Sequence, residues 1–271
     1  MDVSFATRAG DPAIGNEDFV AVGGHGAVVL DGVTPVTRED TGCRHGVAWF
    51  ARAVGARLFA AAETGRPLTD CLAEALDGVR KAHETTCDLG HWDSPATTVA
   101  AVRWSGEVGE YLVLADSPVV LDERRSGDPS GREPRVIVDD RPSEAGRRAA
   151  ARAGRRPSAR EFRTAFRNRP GGYWVAAEDP SVAYEALTGT FDPHIVRRVL
   201  VASDGGVRLV DIFGRYTWRQ ALDVLADEGP AAWLRRTRAH EAELAAAGRG
   251  PSKTHDDATV VLARWSDDPR G

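Results

Sequence analysis

The apolar positions at the start of the chain predict two short strands and a hairpin into a third. Residues 3–9 and 19–22 have the composition and spacing of strands. The run Ala-Val-Val-Leu at 27–30 is typical of a buried strand, and the glycine-rich stretch at 23–26 predicts the tight turn that leads into it. We therefore expect the chain to begin with antiparallel pairing.

Two helices are predicted next. Apolar residues recur at helical spacing in both, at Val47, Phe50, Val54 and Leu58 in the first and at Leu72, Leu76 and Val79 in the second, after Pro67. Apolar stripes of this kind are typical of helices that pack on a core, so we assign them no role in cofactor binding.

The rest of the pattern contains further strands and helices. Strands are predicted over 97–104, 110–115, 119–122, 171–175, 183–190, 196–202 and 258–265, and helices over 209–212, 218–225 and 231–244. The Gly229-Pro230 pair separates the last two helices, because proline interrupts a helix. Strands with short connections beside long helices favour an antiparallel sheet with helices on its outer face.

Residues 141–169 are rich in arginine and poor in large apolar residues. The arginines are Arg147, Arg148, Arg152, Arg155, Arg156, Arg160, Arg163 and Arg167. A solvated helical face is the simplest explanation of this segment. Attraction of nucleic acid is an alternative.

Composition and charge narrow the class of protein. With 271 residues, 42% of them apolar, the chain can bury one large core, so we expect a single domain. A net charge of -5 argues against nucleic-acid binding through overall electrostatics. No signal-like segment opens the chain and no apolar run is long enough to cross a bilayer, so we expect a soluble cytoplasmic protein without a membrane partner.

The cysteines give no sign of a metal site or of disulfides. Cys43, Cys71 and Cys87 are odd in number and include no Cys-x-x-Cys pair. The sequence therefore suggests neither a disulfide framework nor a zinc site, and a reducing cytoplasm fits best.

Candidate chemistry appears where carboxylates stand at the ends of buried strands. Asp31 and Asp204 each follow a predicted strand, and Asp256 precedes the last one. Each of these acidic residues alone is typical of a turn. Together, three such strands can gather oxygen ligands around hard divalent cations such as magnesium or manganese.

Five short segments resemble, in order and spacing, the signatures of one enzyme family. They are Asn16-Glu17-Asp18, Leu30-Asp31-Gly32, Ala115-Asp116-Ser117, Ala202-Ser203-Asp204-Gly205 and Asp256-Asp257-Ala258-Thr259. The chain resembles, over about residues 3–264, the metal-dependent serine/threonine phosphatases of type 2C, the PPM family, in its bacterial form. The resemblance implies an α+β fold, a four-layer α-β-β-α sandwich of two mainly antiparallel sheets flanked by helices.

The resemblance also implies a domain organisation. A single phosphatase-like domain would cover residues 1–265. Residues 141–170 would form a mobile basic flap beside the catalytic centre, and such a flap could attract an acidic phosphorylated partner. Residues 266–271 would be a short polar tail.

The catalytic metal ligands follow from the same resemblance. Asp31 would bridge two Mn²⁺ or Mg²⁺ ions, with the Gly32 carbonyl as a further ligand to one of them. Asp204 and Asp256 would complete the protein ligands of the other ion. Asp116 matches the position that helps to hold a third, weaker ion in bacterial members.

Glu17 and Asp18 would orient metal-bound waters without touching the ions. A hydroxide that bridges the ions would then attack phosphorus in line, with no phosphoenzyme intermediate. The resemblance therefore implies removal of phosphate from phosphoserine or phosphothreonine of a protein partner, by an enzyme that we expect to be a monomer.

Two positions depart from the family pattern. Ala13 stands where many members have an arginine that binds the substrate phosphate. This loss would weaken binding by roughly 1.5 to 3 kcal/mol unless Arg8 or a flap arginine substitutes. Residues 33–35 are Val-Thr-Pro, so the histidine that animal members often have there is missing, although His255 could donate a proton.

These departures keep two alternatives open. One is a non-catalytic binding or regulatory module on the same fold, and the other is a phosphatase of a small phosphorylated metabolite. Clustered carboxylates that repel one another without metal argue against the pure binding module.

Overall fold

The computed structural model describes residues 1–124, 133–250 and 253–265. The predicted polar tail, residues 266–271, lies outside the described residues. The strands are β1 (Asp2–Arg8), β2 (Phe19–Gly23), β3 (Gly26–Leu30), β4 (Val99–Trp104), β5 (Gly109–Leu114), β6 (Val119–Glu123), β7 (Arg135–Ile137), β8 (Leu187–Phe191), β9 (Val196–Ala202) and β10 (Ala258–Arg264). The α-helices are α1 (Val47–Ala62), α2 (Leu68–His83), α3 (Arg141–Ala153), α4 (Ala159–Phe166), α5 (Asp204–Asp211), α6 (Trp218–Glu228) and α7 (Pro230–Ala246). No helix in the described ranges is long and apolar enough to cross a membrane.

The strands form two sheets of five strands each. The first sheet has the order β1-β10-β9-β6-β7, and the second has the order β2-β3-β4-β5-β8. Neighbouring strands in both sheets run antiparallel. The strands beside the predicted ligands, β3, β9 and β10, therefore lie inside their sheets and not at an edge.

The sheets pack face to face, and helices cover the outer face of each. In β3, Ala27 and Val29 face the other sheet while Val28 and Leu30 pack against α1 and α2. On the opposite side, α5, α6 and α7 cover the first sheet. All of β3 is buried because both of its faces are covered, which explains its continuous apolar run. The predicted four-layer sandwich is confirmed.

Residues 171–175 do not form the predicted strand. Tyr173 makes only an isolated bridge to Arg167, and Gly171 has a φ of 76°, which extended backbone does not use. The segment is a turn after α4. A short apolar run is typical of a strand, but it can also belong to the buried side of a loop, as it does here.

The predicted strand 183–190 is divided into two elements. A 3-10 helix covers Pro180–Glu185, and its first turn is capped by Asp179, which accepts a hydrogen bond from the Ser181 N–H at 2.9 Å. Strand pairing begins only at Leu187. The cap and the proline start the short helix, and together they override the strand pattern.

The basic segment is anchored by two of its arginines. The Arg167 side chain is only 10% exposed and donates to the Ser94 carbonyl at 2.9 Å. Arg163 pairs with the buried Asp93 and donates to the Thr34 carbonyl at 2.7 Å. A solvated surface therefore accounts only for the other, exposed arginines of α3, of α4 and of the loop between them.

Candidate metal centre

Asp31 stands at the end of β3, where two threonines fix its backbone. The Thr98 hydroxyl accepts from the Asp31 N–H at 3.1 Å, and the Thr98 N–H donates to the Asp31 carbonyl at 2.8 Å. The Thr97 hydroxyl donates to that carbonyl at 2.8 Å. The Thr98 hydroxyl also lies 2.6 Å from the Ser117 hydroxyl. The paired threonines thus position Asp31, a role beyond packing between the sheets.

Gly32 allows the segment that carries Glu17 to approach the end of β3. A Cβ at Gly32 would lie 2.7 Å from the Glu17 carbonyl oxygen and 2.4 Å from a methyl carbon of Val47. Glu17 is buried, and its carboxylate accepts a hydrogen bond from Arg38 at 2.8 Å. Position 32 therefore needs glycine for the Glu17 backbone to approach the end of β3 this closely.

Asp204 is the first residue of α5, which begins further upstream than the sequence predicts. A carboxylate in the first turn of a helix interacts favourably with the helix dipole. A Cβ at Gly205 would lie 1.9 Å from the Asp257 carbonyl oxygen and 3.1 Å from the Asp256 Cβ. This close backbone approach brings Asp204 next to Asp256.

A buried ionic network lies behind Asp256. Glu241 on α7 has a fully buried side chain that pairs with Arg208 and Arg238, whose side chains are 7% and 11% exposed. His255 Nδ1 lies 2.8 Å from a Glu241 carboxylate oxygen. His255 thus belongs to this network, and its predicted use as a proton donor gains no support.

The two arginines of the network also fix the backbone that leads to Asp256. Arg208 donates to the carbonyls of Lys253 at 2.9 Å and Thr254 at 3.2 Å. Arg238 donates to the carbonyl of Asp256. The network therefore connects α5 and α7 to the loop before β10. Motif analysis missed it because its members are scattered along the chain.

Asp31, Asp204 and Asp256 form one carboxylate cluster. The carboxyls of Asp31 and Asp204 lie within hydrogen-bond reach of each other. Desolvation, followed by the charge of Asp204, raises the pKa of Asp31 well above its ordinary value. Desolvation and the charge of Asp256 also raise the pKa of Asp204. Ionised carboxylates in this arrangement repel one another, so a bound cation would stabilise them.

Lys253 adds a positive charge to this cluster. Its ammonium group pairs with Asp256 and lies 3.2 Å from the Thr34 hydroxyl. Partial burial lowers the pKa of Lys253, but the hydrogen bond to Asp256 and the charges of Asp31 and Asp204 outweigh it and leave the pKa above its ordinary value. Sequence analysis missed Lys253 because it belongs to none of the motifs.

Asp18 is held between the two sheets. One of its carboxylate oxygens accepts hydrogen bonds from the hydroxyls of Ser203 at 2.9 Å and Thr259 at 2.7 Å. The other oxygen, Oδ1, is buried and has no hydrogen-bond partner within the described residues. Burial is the largest cause that raises the pKa of Asp18 to about 7, and the nearby Asp257 and Asp204 add to it.

Asp116 follows a backbone position of unusual conformation. Ala115 has a φ of 67°, which is rare for a residue other than glycine and is found at functional sites. Asp139 stabilises this turn, because its carboxylate accepts from the Ala115 N–H at 3.3 Å and from Arg141 at 2.7 and 2.8 Å. Desolvation, followed by the charge of Asp204, raises the pKa of Asp116 to about 6.

Backbone N–H groups donate hydrogen bonds to the Asp257 carboxylate. Its two carboxylate oxygens accept from the N–H groups of Gly10 and Glu17, each at 2.7 Å. These bonds tie the segment before β2 to the start of β10. The preference for Asp256 over Asp257 as a ligand stays a prediction.

An open cavity of about 830 Å³ lies between Asp116 and the basic flap. Arg147 and Arg156 line it, together with Phe162 and Tyr173, whose rings stack at 5.2 Å. Neither arginine forms an ion pair with another residue in the ranges that the structure covers. The cavity can therefore take an anionic group next to the carboxylates.

The residues at this site fit hard divalent cations. Such cations prefer carboxylate and carbonyl oxygens, and the unpartnered Asp18 Oδ1 can accept a hydrogen bond from a water of the site. The structure brings the predicted residues to one place; their individual roles stay predictions. These residues are Glu17, Asp18, Asp31, Gly32, Asp116, Asp204 and Asp256.

Comparison with known proteins supports the architecture. The sequence matches no protein-family model and no curated protein. Among solved structures, the serine/threonine phosphatase PstP/Ppp of Mycobacterium tuberculosis is 19% identical, with 98% of each chain covered and a TM-score of 0.57. Stp1 of Staphylococcus aureus is 14% identical, covers 98% of this chain and 95% of its own, and has a TM-score of 0.60. The chain has the PPM phosphatase fold.

A third structure with the PPM fold widens the comparison. The PPM Ser-Thr phosphatase MsPP of Mycobacterium smegmatis, in complex with cacodylate, is 18% identical and has a TM-score of 0.56, with 98% of this chain and 99% of that chain covered. At these identities the likeness establishes the fold alone. In this PPM fold, the carboxylate cluster lies where β3, β9 and β10 end or begin.

Proposed function

We propose that the protein is a metal-dependent phosphomonoester hydrolase that removes phosphate from phosphoserine or phosphothreonine of proteins. The observation that carries the proposal is the cluster of Asp31, Asp204 and Asp256, which come from three distant parts of the chain. The PPM fold supports it. A structure of the PstP catalytic domain, 19% identical with a TM-score of 0.56, is of a complex with 2 manganese ions.

The proposal assigns a role to each acidic residue. Asp31, Gly32, Asp204 and Asp256 would hold two Mn²⁺ or Mg²⁺ ions, and Asp116 would help to hold a third. Bound ions at such a site supply an activated water and polarise the phosphoryl oxygens.

Other residues of the chain would position the reacting groups. Asp18 would accept a hydrogen bond from a water through its free Oδ1, and Glu17, fixed by Arg38, would orient another. Thr97 and Thr98 would keep the Asp31 backbone in place.

Phosphate binding needs a cation that Ala13 does not supply. We propose that Lys253 takes this part, because its ammonium group pairs with Asp256 of the carboxylate cluster and its side chain is 51% exposed. Arg147 and Arg156, which line the cavity beside Asp116, would then contact groups further along the substrate.

Lys253→Met is expected to raise KM for an aryl phosphate about tenfold. A charge-assisted hydrogen bond is worth roughly 1.5 to 3 kcal/mol, and the lower end applies because the side chain is half exposed. Steady-state kinetics of this variant beside Arg8→Gln, Arg147→Gln and Arg156→Gln would identify the phosphate ligand. Unchanged kinetics for Lys253→Met, with a raised KM in one arginine variant, would assign the role to that arginine.

The proposed function is tested by hydrolysis of an aryl phosphate and of a phosphothreonine peptide, each with and without manganese. We expect turnover of both substrates that requires Mn²⁺ or Mg²⁺ and stops when a chelator is added. Turnover of the aryl phosphate alone would favour a metabolite phosphatase. No turnover at any metal concentration would favour the non-catalytic module.

The proposal includes a cytoplasmic monomer as the working form. The cysteines of the described residues, Cys43, Cys71 and Cys87, are all free thiols, which supports a reducing compartment. Light scattering of the purified protein would test the monomer.

A further inference from the structure

Three side chains with soft ligand atoms meet outside the carboxylate cluster. Cys43 and His45 lie in the loop before α1, and Cys87 lies after α2. The two sulfur atoms are 3.4 Å apart, and His45 Nδ1 lies 3.7 Å from Cys43 Sγ and 3.4 Å from Cys87 Sγ. The cysteine spacing in the sequence argued against a zinc site, but the fold brings together two cysteines that are 44 positions apart.

These three distances are close to the distances between ligand atoms in a tetrahedral zinc site. With Zn–S bonds of about 2.3 Å and a Zn–N bond of about 2.0 Å, the tetrahedral S–S edge is about 3.8 Å and each S–N edge is about 3.5 Å. The observed values, 3.4, 3.7 and 3.4 Å, differ from these edges by no more than about 0.4 Å. Small side-chain movements would therefore complete the site.

The backbone around the three ligands is already in place. The Asp88 N–H donates to the Gly42 carbonyl at 2.8 Å, which ties the loop before α1 to the segment after α2. Gly42 has a φ of 71°, and a Cβ there would lie 2.6 Å from the Asp88 carbonyl oxygen. Only glycine combines this conformation with this close approach, so Cys43 and Cys87 are held side by side.

The orientation of the imidazole is also fixed. The His45 ring stacks on Trp49 with centroids 4.4 Å apart, which directs Nδ1 towards the two sulfur atoms. Cysteine binds metal as the thiolate, so binding of a cation at this place would release the two thiol protons.

We propose that Cys43, His45 and Cys87 bind one thiophilic divalent cation, zinc by preference, with water as the fourth ligand. No fourth cysteine, histidine or carboxylate joins this group in the described part of the chain, and all three ligands are partly exposed. Thiolate and imidazole select zinc over magnesium or manganese, whereas the carboxylate cluster selects the harder ions. The protein would thus carry two sites for different classes of metal.

The zinc would link the end of α2 to the loop formed by residues 32–46. That loop carries Arg38, which pairs with Glu17, and Thr34, which lies 3.2 Å from Lys253. A cross-link at its far end restricts the conformations of the loop, so the zinc has a structural part in positioning the carboxylate cluster.

Cobalt(II) binding to the reduced, metal-free protein in excess magnesium tests the proposal. We expect a near-ultraviolet sulfur-to-cobalt charge-transfer band that saturates at one equivalent and is displaced by one equivalent of zinc. Cys43→Ser and Cys87→Ser should lose the band. Cys71→Ala, which removes the remaining cysteine, and Asp31→Asn, which alters the carboxylate cluster, should keep it.

The melting temperature, Tm, provides a second measurement for variants whose cobalt absorption band is too weak to follow. Zinc should raise the Tm of the wild type and of Cys71→Ala, and should leave the Tm of Cys87→Ala unchanged. Absence of the band in reduced wild-type protein, or its persistence in both serine variants, would overturn the proposal. Suppose that Cys43 and Cys87 form a disulfide quantitatively and that the reduced protein binds no zinc. The pair would then be a redox couple instead of a metal site.

Discussion

Asp31→Asn is expected to lower manganese-dependent turnover of an aryl phosphate at least about 1000-fold. Asp31 belongs to the carboxylate cluster, where the charges of Asp204, Asp18 and Asp256 act on it. Stabilisation of developing charge by bound metal is worth several kcal/mol, and about 4 kcal/mol corresponds to a factor of 1000. The measurement is kcat over a manganese titration, so that weakened metal binding is separated from lost chemistry.

The stability of Asp31→Asn distinguishes lost function from misfolding. The pKa of Asp31 is raised in the folded protein, so its ionised form destabilises the fold at every pH above the ordinary carboxyl pKa. A neutral amide removes this penalty, and the metal-free variant should have a higher Tm than the wild type at pH 7. Manganese should raise the Tm of the wild type only. Asp227→Asn, on the exposed face of α6, is the matched control and should behave as the wild type. Turnover above a tenth of the wild-type value would exclude Asp31 as a metal ligand.

Glu241→Ala is expected to destabilise the protein by about 3 to 5 kcal/mol. The change leaves Arg208 and Arg238 buried without their carboxylate partner. A loss of this size is a large part of the free energy of unfolding of a typical domain, which is about 5 to 15 kcal/mol. Urea unfolding followed by circular dichroism would measure it as a shift of the midpoint at constant m-value.

The matched control for this network is Glu243→Ala. Glu243 lies on the same helix, and its side chain is 74% exposed and pairs with His240, so its removal should change stability little. A midpoint for Glu241→Ala close to that of Glu243→Ala would show that the network contributes nothing. Because the network fixes the backbone of residues 253–256, Glu241→Ala should also weaken manganese binding.

Local patterns in the sequence predict antiparallel strands beside long helices, whereas the four-layer sandwich, which the structure confirms, follows from the resemblance to the PPM family. In β3, the buried run and the acidic residue after it lie within six positions, so strand and ligand are visible together. Helices α1 and α2 carry clear apolar stripes, and proline fixes the start of α7. The strand predicted at residues 171–175 is wrong, because their apolar side chains belong to a turn.

The parts of the site that sequence analysis missed depend on contacts between distant segments. Lys253 has no motif of its own, and its part follows only from the place where its ammonium group lies. Glu241 looks like a surface residue of an ordinary helix until Arg208 is seen opposite. Cys43 and Cys87 have no recognisable spacing, because the two helices α1 and α2 separate them in the chain.

Asp18 connects the two sheets of the sandwich. Its carboxylate accepts hydrogen bonds from Ser203, directly after β9, and from Thr259 in β10 of the first sheet, although Asp18 itself precedes β2 of the second sheet. An ion held beside it would join the two sheets at this end of the sandwich. A metal ion bound there would then limit how far one sheet can slide over the other. The few atoms that serve catalysis would therefore also make the sandwich rigid.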